Sequence, residues 1–155
     1  MKRSTIARTF GVLALTAIAL SASPAAKASN LGCSVASLNG TFADKDVGFL
    51  TAPNSAPTPF AGVNDITFDG QGNMTATGFG SVGGSTGPQT EEGTYTVNPD
   101  CTGTYTVTIN PGGLAAHAWF VIDDTLRELQ IIVTDPGTVI TCVARKQFPL
   151  FDYRN

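Results

Sequence analysis

The sequence predicts an all-β protein, an eight-stranded antiparallel up-and-down barrel, with a β-sandwich as the second choice. Seven clusters of turn-forming residues divide the chain after residue 28 into eight short runs. The runs are rich in Thr, Val, Ile, Phe and Tyr, and several of them alternate apolar with polar residues, as half-buried strands do. None of them combines a helical period with a cap over more than two turns.

Each predicted strand is bounded by the turns on either side of it. The turns pair Asn, Asp or Ser with Gly or Pro, residues that tolerate or preset turn dihedrals, and 123–126 is the one exception. They lie at 51–59, 69–73, 83–89, 98–103, 110–113, 123–126 and 135–137. The strands that remain are 41–50, 60–69, 73–82, 91–98, 103–109, 115–123, 127–134 and 138–147.

Alternation is clearest in the fourth and fifth strands. Tyr95 faces the opposite way to Thr94 and Thr96, and Tyr105 begins the same pattern on the next strand. The segment "TLRELQII" (125–132) has residues that favour a helix, but it is short and leads into β-branched residues, so a strand is favoured. Strands joined by short turns pair consecutively, and closure into a barrel removes the open edges.

The first 28 residues have the pattern of a bacterial secretory signal peptide. Lys2, Arg3 and Arg8 precede an apolar segment, 10–22, that is too short to span a bilayer as a helix, and "AKA" at 26–28 fits a cleavage site. The sequence therefore predicts that residues 29–155 form a single secreted domain, periplasmic or extracellular, with no attachment to a membrane after removal of the leader.

The charge of the predicted mature chain argues against nucleic acid as a partner. The leader contains four of the nine basic residues and none of the twelve acidic ones, which leaves a net charge of −7. Five scattered cations provide neither a phosphate-binding surface nor a basic amphipathic helix for an anionic membrane. The oligomeric state does not follow from the sequence.

Export places Cys33, Cys101 and Cys142 in an oxidising compartment. A disulfide between Cys33 and Cys101 is favoured, because it ties the chain before the first strand to the tip of a hairpin and contributes about 3–4 kcal/mol on the chain-entropy model. Cys33 with Cys142 is the alternative, since the sequence does not fix the connectivity. With one histidine and no CxxC pair, no metal or other cofactor is expected.

Four segments resemble a group of small secreted bacterial proteins that share a GTYTVNPDCTGT motif. They are "SLNGTF" (37–42), "PFAGVNDITFDGQGN" (59–73), "GTYTVNPDCTGTYTV" (93–107) and "FVIDD…RELQIIVTDPGTVITCVARKQ" (120–147). The resemblance implies a small all-β barrel of the calycin or allene-oxide-cyclase type, and it implies no established activity. The chain departs from the motif at "DDT" (123–125), in place of a Gly-rich turn, and at Cys142, in place of a small residue.

Side chains that share a strand face suggest a polar group inside the barrel. If Phe42 points inward, Asp44 and Asp46 do so as well, because residues two apart lie on the same face. The same rule gives the ligand-binding candidates Phe42, Asn64, Phe68, Tyr95, Tyr105 and Trp119. The candidate acid–base residues are His117 and Asp44, either of which burial could shift to a useful pKa.

Most of these residues also have a purely structural interpretation. Ala116, Ala118 and Phe120 form an inner face as plausible as that of His117 and Trp119, which would put the latter two outside. Asp44 and Asp46 fit a solvated strand end. Tyr95 and Tyr105 are expected to be cross-strand neighbours, and Glu91 with Glu92 an exposed charge pair.

The function that the sequence favours is a secreted barrel that binds a small apolar molecule in its interior. An isomerase or cyclase of the allene-oxide-cyclase kind is one alternative, and a structural or surface protein with a filled core is another. Catalysis is the less favoured class, because the motifs GxSxG, HExxH and SxxK are absent. An interior pocket of about 300 Å³ or more distinguishes a binding protein from a filled barrel.

Overall fold

The structure, a computed structural model, describes residues 32–148, so the predicted signal peptide 1–28 lies outside the described residues. Eight antiparallel strands close into a barrel in chain order, and β1 pairs with β8. The strands are β1 (Asn39–Leu50), β2 (Thr58–Asp69), β3 (Asn73–Val82), β4 (Ser85–Val97), β5 (Thr102–Asn110), β6 (Leu114–Ile122), β7 (Glu128–Val133) and β8 (Thr138–Lys146). The predicted up-and-down barrel is confirmed, and the sandwich alternative is wrong.

The strand limits agree with the predicted ones to within two residues, except at the start of β4. The segment 83–89 was expected to be a turn, but the turn consists of Gly83 and Gly84 alone. Both glycines have a positive φ, 58° and 88°, as a two-residue hairpin turn requires. Val82 therefore pairs directly with Ser85, and the residues up to Gln89 belong to the barrel wall.

One end of the barrel, here called the closed end, is filled by large apolar side chains. Phe42 and Phe68 meet edge to face with ring centroids 5.4 Å apart, and Phe68 packs in the same way on Tyr95 at 5.0 Å. Burial of each large apolar side chain contributes about 1.5–3 kcal/mol. The largest fully buried side chains are Leu38, Phe42, Phe68, Met74, Phe120 and Leu129.

A short 3-10 turn, Val35–Ser37, lies across the closed end before β1 begins. The Tyr95 hydroxyl donates to the carbonyl oxygen of Leu38 at 2.8 Å and lies 3.0 Å from that of Val35. These contacts hold the turn over the strands and place the Leu38 side chain in the core. Tyr95 also lies directly opposite Tyr105, which confirms that the two tyrosines are cross-strand neighbours.

A disulfide fastens the start of the described chain to the same end. Cys33 is bonded to Cys101 in the turn between β4 and β5, with their Cα atoms 4.9 Å apart, and the Cys33 amide donates to the Pro99 carbonyl at 3.1 Å. The favoured connectivity is thus confirmed. Cys142 is a buried free thiol on β8, inside the barrel and away from Cys33.

The opposite end of the barrel, here called the mouth, is formed by the four loops that do not contribute to the closed end. The longest connects β1 to β2 over residues 51–57, and the others connect β3 to β4, β5 to β6 and β7 to β8. Within residues 32–148, no helix is long and apolar enough to cross a membrane.

We expect removal of the disulfide by the double substitution Cys33→Ala and Cys101→Ala to lower the free energy of unfolding by about 3–4 kcal/mol, because the bond joins residues 68 apart in the sequence. Urea unfolding followed by tryptophan fluorescence measures the change. A reducing agent should bring the wild-type protein to the stability of the variant and leave the variant unchanged. Equal stability of the oxidised and reduced wild-type protein would contradict this role.

Candidate functional site

The barrel encloses a cavity of about 400 Å³ between the packed closed end and the mouth. The interior is therefore not filled, in contrast to the expectation for a purely structural barrel. Much of the wall is apolar, and this part is contributed mainly by the second half of the chain. The residues called the apolar wall below are Val107, Ile109, Leu114, Ala116, Val133 and Ile140, and Leu50, Phe60, Ile66 and Val82 add apolar surface from β1, β2 and β3.

Polar side chains occupy the other side of the cavity. Asp44 and Asp46 come from β1, Asn64 from β2, and Gln89 and Glu91 from β4; these five residues are called the acidic wall below. The two aspartates point inward because they follow the inward Phe42 at intervals of two residues. Gln89 and Glu91 do so because they precede the inward Tyr95 by six and four residues, again multiples of two. The alternation of side chains along β1 and β4 is therefore sufficient to place these polar residues on the inner surface of the barrel.

Two amides connect the acidic wall. The Asn64 amide nitrogen donates to Asp46 Oδ2 at 2.8 Å and to Asp44 Oδ2 at a longer 3.4 Å. The Gln89 amide nitrogen donates to Asn64 Oδ1 at 2.9 Å and lies 3.4 Å from Glu91 Oε1. The second oxygen of Asp44, Oδ1, is buried without a hydrogen-bond partner, although buried polar atoms are nearly always paired.

Glycines on β2 and β3 make room for these side chains. A β-carbon at Gly62 would lie 2.8 Å from Asp46 Oδ2, and one at Gly80 would lie 2.5 Å from Gln89 Oε1. A β-carbon at Gly78 would collide with both the side chain of Asn64 and the backbone of Val63. The acidic wall therefore has its observed geometry only because the neighbouring wall lacks side chains.

Burial keeps the acidic wall partly protonated. Burial, and next the neighbouring Asp46, raise the pKa of Asp44 to about 8, and the same two causes raise the pKa of Glu91 to about 7. Burial also raises the pKa of the Cys142 thiol and that of the Tyr105 hydroxyl, so both stay neutral. No Lys, Arg or His among residues 32–148 lines the cavity to offset the acidic charge.

Three of these groups could converge on a metal ion. One donor atom each of Asp44, Asp46 and Cys142 lies within 4.8 Å of the others, and all three residues are buried. The thiol is a poor ligand as it stands, because metals bind the thiolate and the pKa of Cys142 is raised. The Asn64 amide nitrogen, a donor, already lies against both carboxyl groups.

The residues singled out in the sequence fall into three places. Asp44, a candidate acid or base, and the ligand-binding candidates Asn64 and Tyr105 line the cavity. Phe42, Phe68 and Tyr95 belong instead to the packed closed end below it. His117 and Trp119 lie on the outer surface, since Ala116, Ala118 and Phe120 take the inner face of β6.

The outward position of His117 removes it from the interior chemistry. Its Nδ1 lies 2.7 Å from Oδ1 of Asp135, a residue of the β7–β8 loop at the mouth, and its backbone amide donates to Asp135 Oδ2 at 2.7 Å. Trp119 is 42% exposed on the same face. Asp44 thus faces the cavity without the histidine with which it was paired as a candidate acid or base.

Three contributors to the site were not singled out in the sequence. The sequence predicts a turn at Gln89 and an exposed pair of Glu91 and Glu92, whereas Gln89 lies on β4 and only Glu92 faces outward. Cys142 stands out in the sequence only as the alternative disulfide partner of Cys33 and as a departure from the motif of the resembling proteins. The alternation of Gln89, Glu91, Gly93 and Tyr95 was the signal that could have revealed the inward carboxylate.

No protein-family model and no curated protein matches the chain. Among solved structures, a redesigned beta barrel is similar, with a TM-score of 0.53 and 14% sequence identity over 74% of this chain and 95% of the designed one. A likeness at this identity concerns the fold alone, so it supports the barrel architecture and gives no information about the cavity.

The raised pKa values predict that the protein loses stability as the pH rises. The folded state keeps protons on Asp44 up to about pH 8 and on Glu91 up to about pH 7, whereas the unfolded chain releases them near pH 4. The free energy of unfolding should therefore fall across this window, by up to about 1.4 kcal/mol per pH unit for each group. The groups that face Asp44 are Asp46, Asn64, Glu91, Tyr105 and Cys142.

Urea unfolding at a series of pH values measures this profile. Asp44→Asn keeps the shape of the side chain and removes its charge. It should therefore reduce the decrease in the free energy of unfolding with rising pH, and stabilise the protein near pH 8 by about 1–3 kcal/mol. Asp65→Asn, the same change on the outer face of β2, serves as the control. Four other carboxyl groups have a lowered pKa and change the free energy of unfolding with pH only below about pH 4; they are those of Asp69, Asp100, Asp123 and Asp135. A profile as steep in Asp44→Asn as in the wild-type protein would contradict the assignment.

Proposed function

We propose that this protein is an exported bacterial barrel that binds a small, predominantly apolar molecule in its interior. The observation that carries the proposal is the cavity of about 400 Å³ between the closed end and the mouth. Small-molecule sites are concave, have volumes of roughly 300–1,000 Å³, and combine apolar walls with a few polar groups. The apolar wall and the acidic wall together match that description.

The shape of the cavity supports binding rather than passage. The closed end is packed with aromatic and aliphatic side chains, so a ligand would enter and leave through the mouth. Inside, apolar surface removed from water stabilises a complex by about 25 cal/mol per Å², before the cost of immobilising the ligand. The apolar wall supplies this contribution, and the polar groups would fix the orientation of the ligand.

Export is part of the proposal. The signal-peptide pattern of residues 1–28 supports it, and so does the Cys33–Cys101 disulfide, because such bonds persist in oxidising compartments. The resemblance of the chain to small secreted bacterial proteins points in the same direction. We include membership of that group in the proposal.

Proton-transfer catalysis, as in an isomerase or cyclase, is a second candidate function. The observation in its favour is Asp44, a buried carboxyl in the cavity whose pKa of about 8 lies close to physiological pH. The outward direction of His117 weighs against it, because the described residues that line the cavity include no histidine to act as the second acid or base. Binding is therefore favoured over catalysis.

A neutral dye that fluoresces in apolar surroundings, N-phenyl-1-naphthylamine, tests the binding function. We expect its emission to rise on addition of the protein and to saturate at one site. Ala116→Phe, which projects a ring from β6 into the cavity, should weaken dye binding at least about tenfold, because the dye and the ring compete for the same volume.

Ala43→Phe makes the same change on the outer face of β1 and should leave dye binding unaltered. Equal loss in both variants would place the dye on the outer surface, and absence of saturable binding to the wild-type protein would remove the proposed function. Native mass spectrometry of protein exported by its own host then gives the mass of any molecule that the cavity retains.

A further inference from the structure

We propose that the cavity selects an amphipathic cation, a small apolar body that carries a protonated primary amine against the acidic wall. The inference rests on the proposed binding function and adds the chemical class of the ligand. It stands on the distribution of polar groups inside the barrel, on one unpaired buried oxygen, and on the absence of cationic side chains among the described residues that line the cavity.

The cavity is chemically two-sided. Asp44, Asp46, Asn64, Gln89 and Glu91 lie together on β1, β2 and β4, and most of the apolar lining comes from β5 to β8. The separation is not complete, because Leu50, Phe60, Ile66 and Val82 add apolar surface in the first half of the barrel and Asn110 and Asp135 add polar groups in the second. A wholly apolar ligand would leave the acidic wall without partners, whereas a bare inorganic cation would leave the apolar wall unused. A molecule with one charged end and one apolar body satisfies both sides.

Asp44 supplies the most specific observation. The residue is only 7% exposed, it lines the cavity, and its Oδ1 has no hydrogen-bond partner. The protein supplies no cationic partner to this buried carboxyl group, and a charged donor on a ligand would provide one. Glu91 offers a second incompletely satisfied carboxyl group, since its one contact with Gln89 is as long as 3.4 Å.

The chemistry of the partner follows from these acceptors. An alcohol provides one donor, a quaternary ammonium provides none, and a primary ammonium provides three donors together with a positive charge. Charge-assisted hydrogen bonds to carboxylates are about twice as strong as neutral ones. A carboxylate ligand would instead bring further negative charge to Asp44, Asp46 and Glu91, a group in which burial and mutual repulsion already keep protons bound. No cationic side chain of residues 32–148 lines the cavity to compensate that charge.

A series of ligands with one common chain tests the assignment: octylamine, octan-1-ol and octanoate, each titrated by calorimetry near neutral pH. We expect octylamine to bind at least about tenfold more tightly than octan-1-ol, and octanoate to bind most weakly. Asp44→Asn should reduce the preference for the amine to less than about threefold, with little effect on the alcohol. Glu91→Gln is the second variant, and Asp65→Asn is the control outside the barrel.

Proton release gives an independent readout. When an ammonium group binds next to a protonated carboxyl, the carboxyl loses its proton to the buffer, and the ion pair forms. Because Asp44 and Glu91 hold protons near neutral pH, the measured enthalpy for octylamine should depend on the ionisation enthalpy of the buffer. The enthalpy for octan-1-ol should not.

The outcomes separate this inference from the function on which it rests. Equal binding of amine and alcohol, unchanged in Asp44→Asn, would overturn the inference and leave the apolar binding function in place. Failure of all three ligands and of the neutral dye would overturn both. Tight binding of Zn²⁺, with no advantage of the amine over the alcohol, would assign the acidic wall to a metal ion and overturn the inference as well.

Discussion

The pairing of β1 with β8 is the constraint on which the interior of this protein depends. It closes the sheet into a barrel, and it divides the side chains of every strand between an inside and an outside. Asp46 lies opposite Cys142 across this seam, and Asp44 lies opposite Ala144. In an open sheet the same carboxyl groups would stand on an edge strand and be hydrated; the closed sheet makes them part of an enclosed surface.

The two ends of the barrel have different tasks. The closed end supplies aromatic packing, the Tyr95 hydrogen bond and the disulfide, all of which stabilise the fold. The half towards the mouth contains the cavity and the acidic wall, where buried carboxyl groups and an unpaired oxygen cost stability. Packing at the closed end thus offsets the cost of the polar groups in the other half of the barrel. Such a division is expected, because the polar groups of a functional site reduce the stability of the fold.

Local signals in the sequence were sufficient for the strands, the barrel and the disulfide, because turn residues and alternation act over a few positions. Period two also placed Asp44, Asn64 and Tyr105 inside. It could not choose the inner face of β6, since Ala116 and Phe120 on one face and Trp119 on the other are all apolar; closure of the whole sheet makes that choice. Glu91 was missed because the Gly83–Gly84 turn is shorter than the Gly-, Ser- and Pro-rich composition around it suggested.

The 3-10 turn and the aromatic side chains beneath it have a kinetic consequence. Because the closed end is packed, a molecule bound in the cavity would have to enter and leave through the mouth. Two such molecules would exclude each other, and the residence time of each would depend on the motions of the loops around the mouth. The disulfide lies at the opposite end, so it leaves those motions unrestrained.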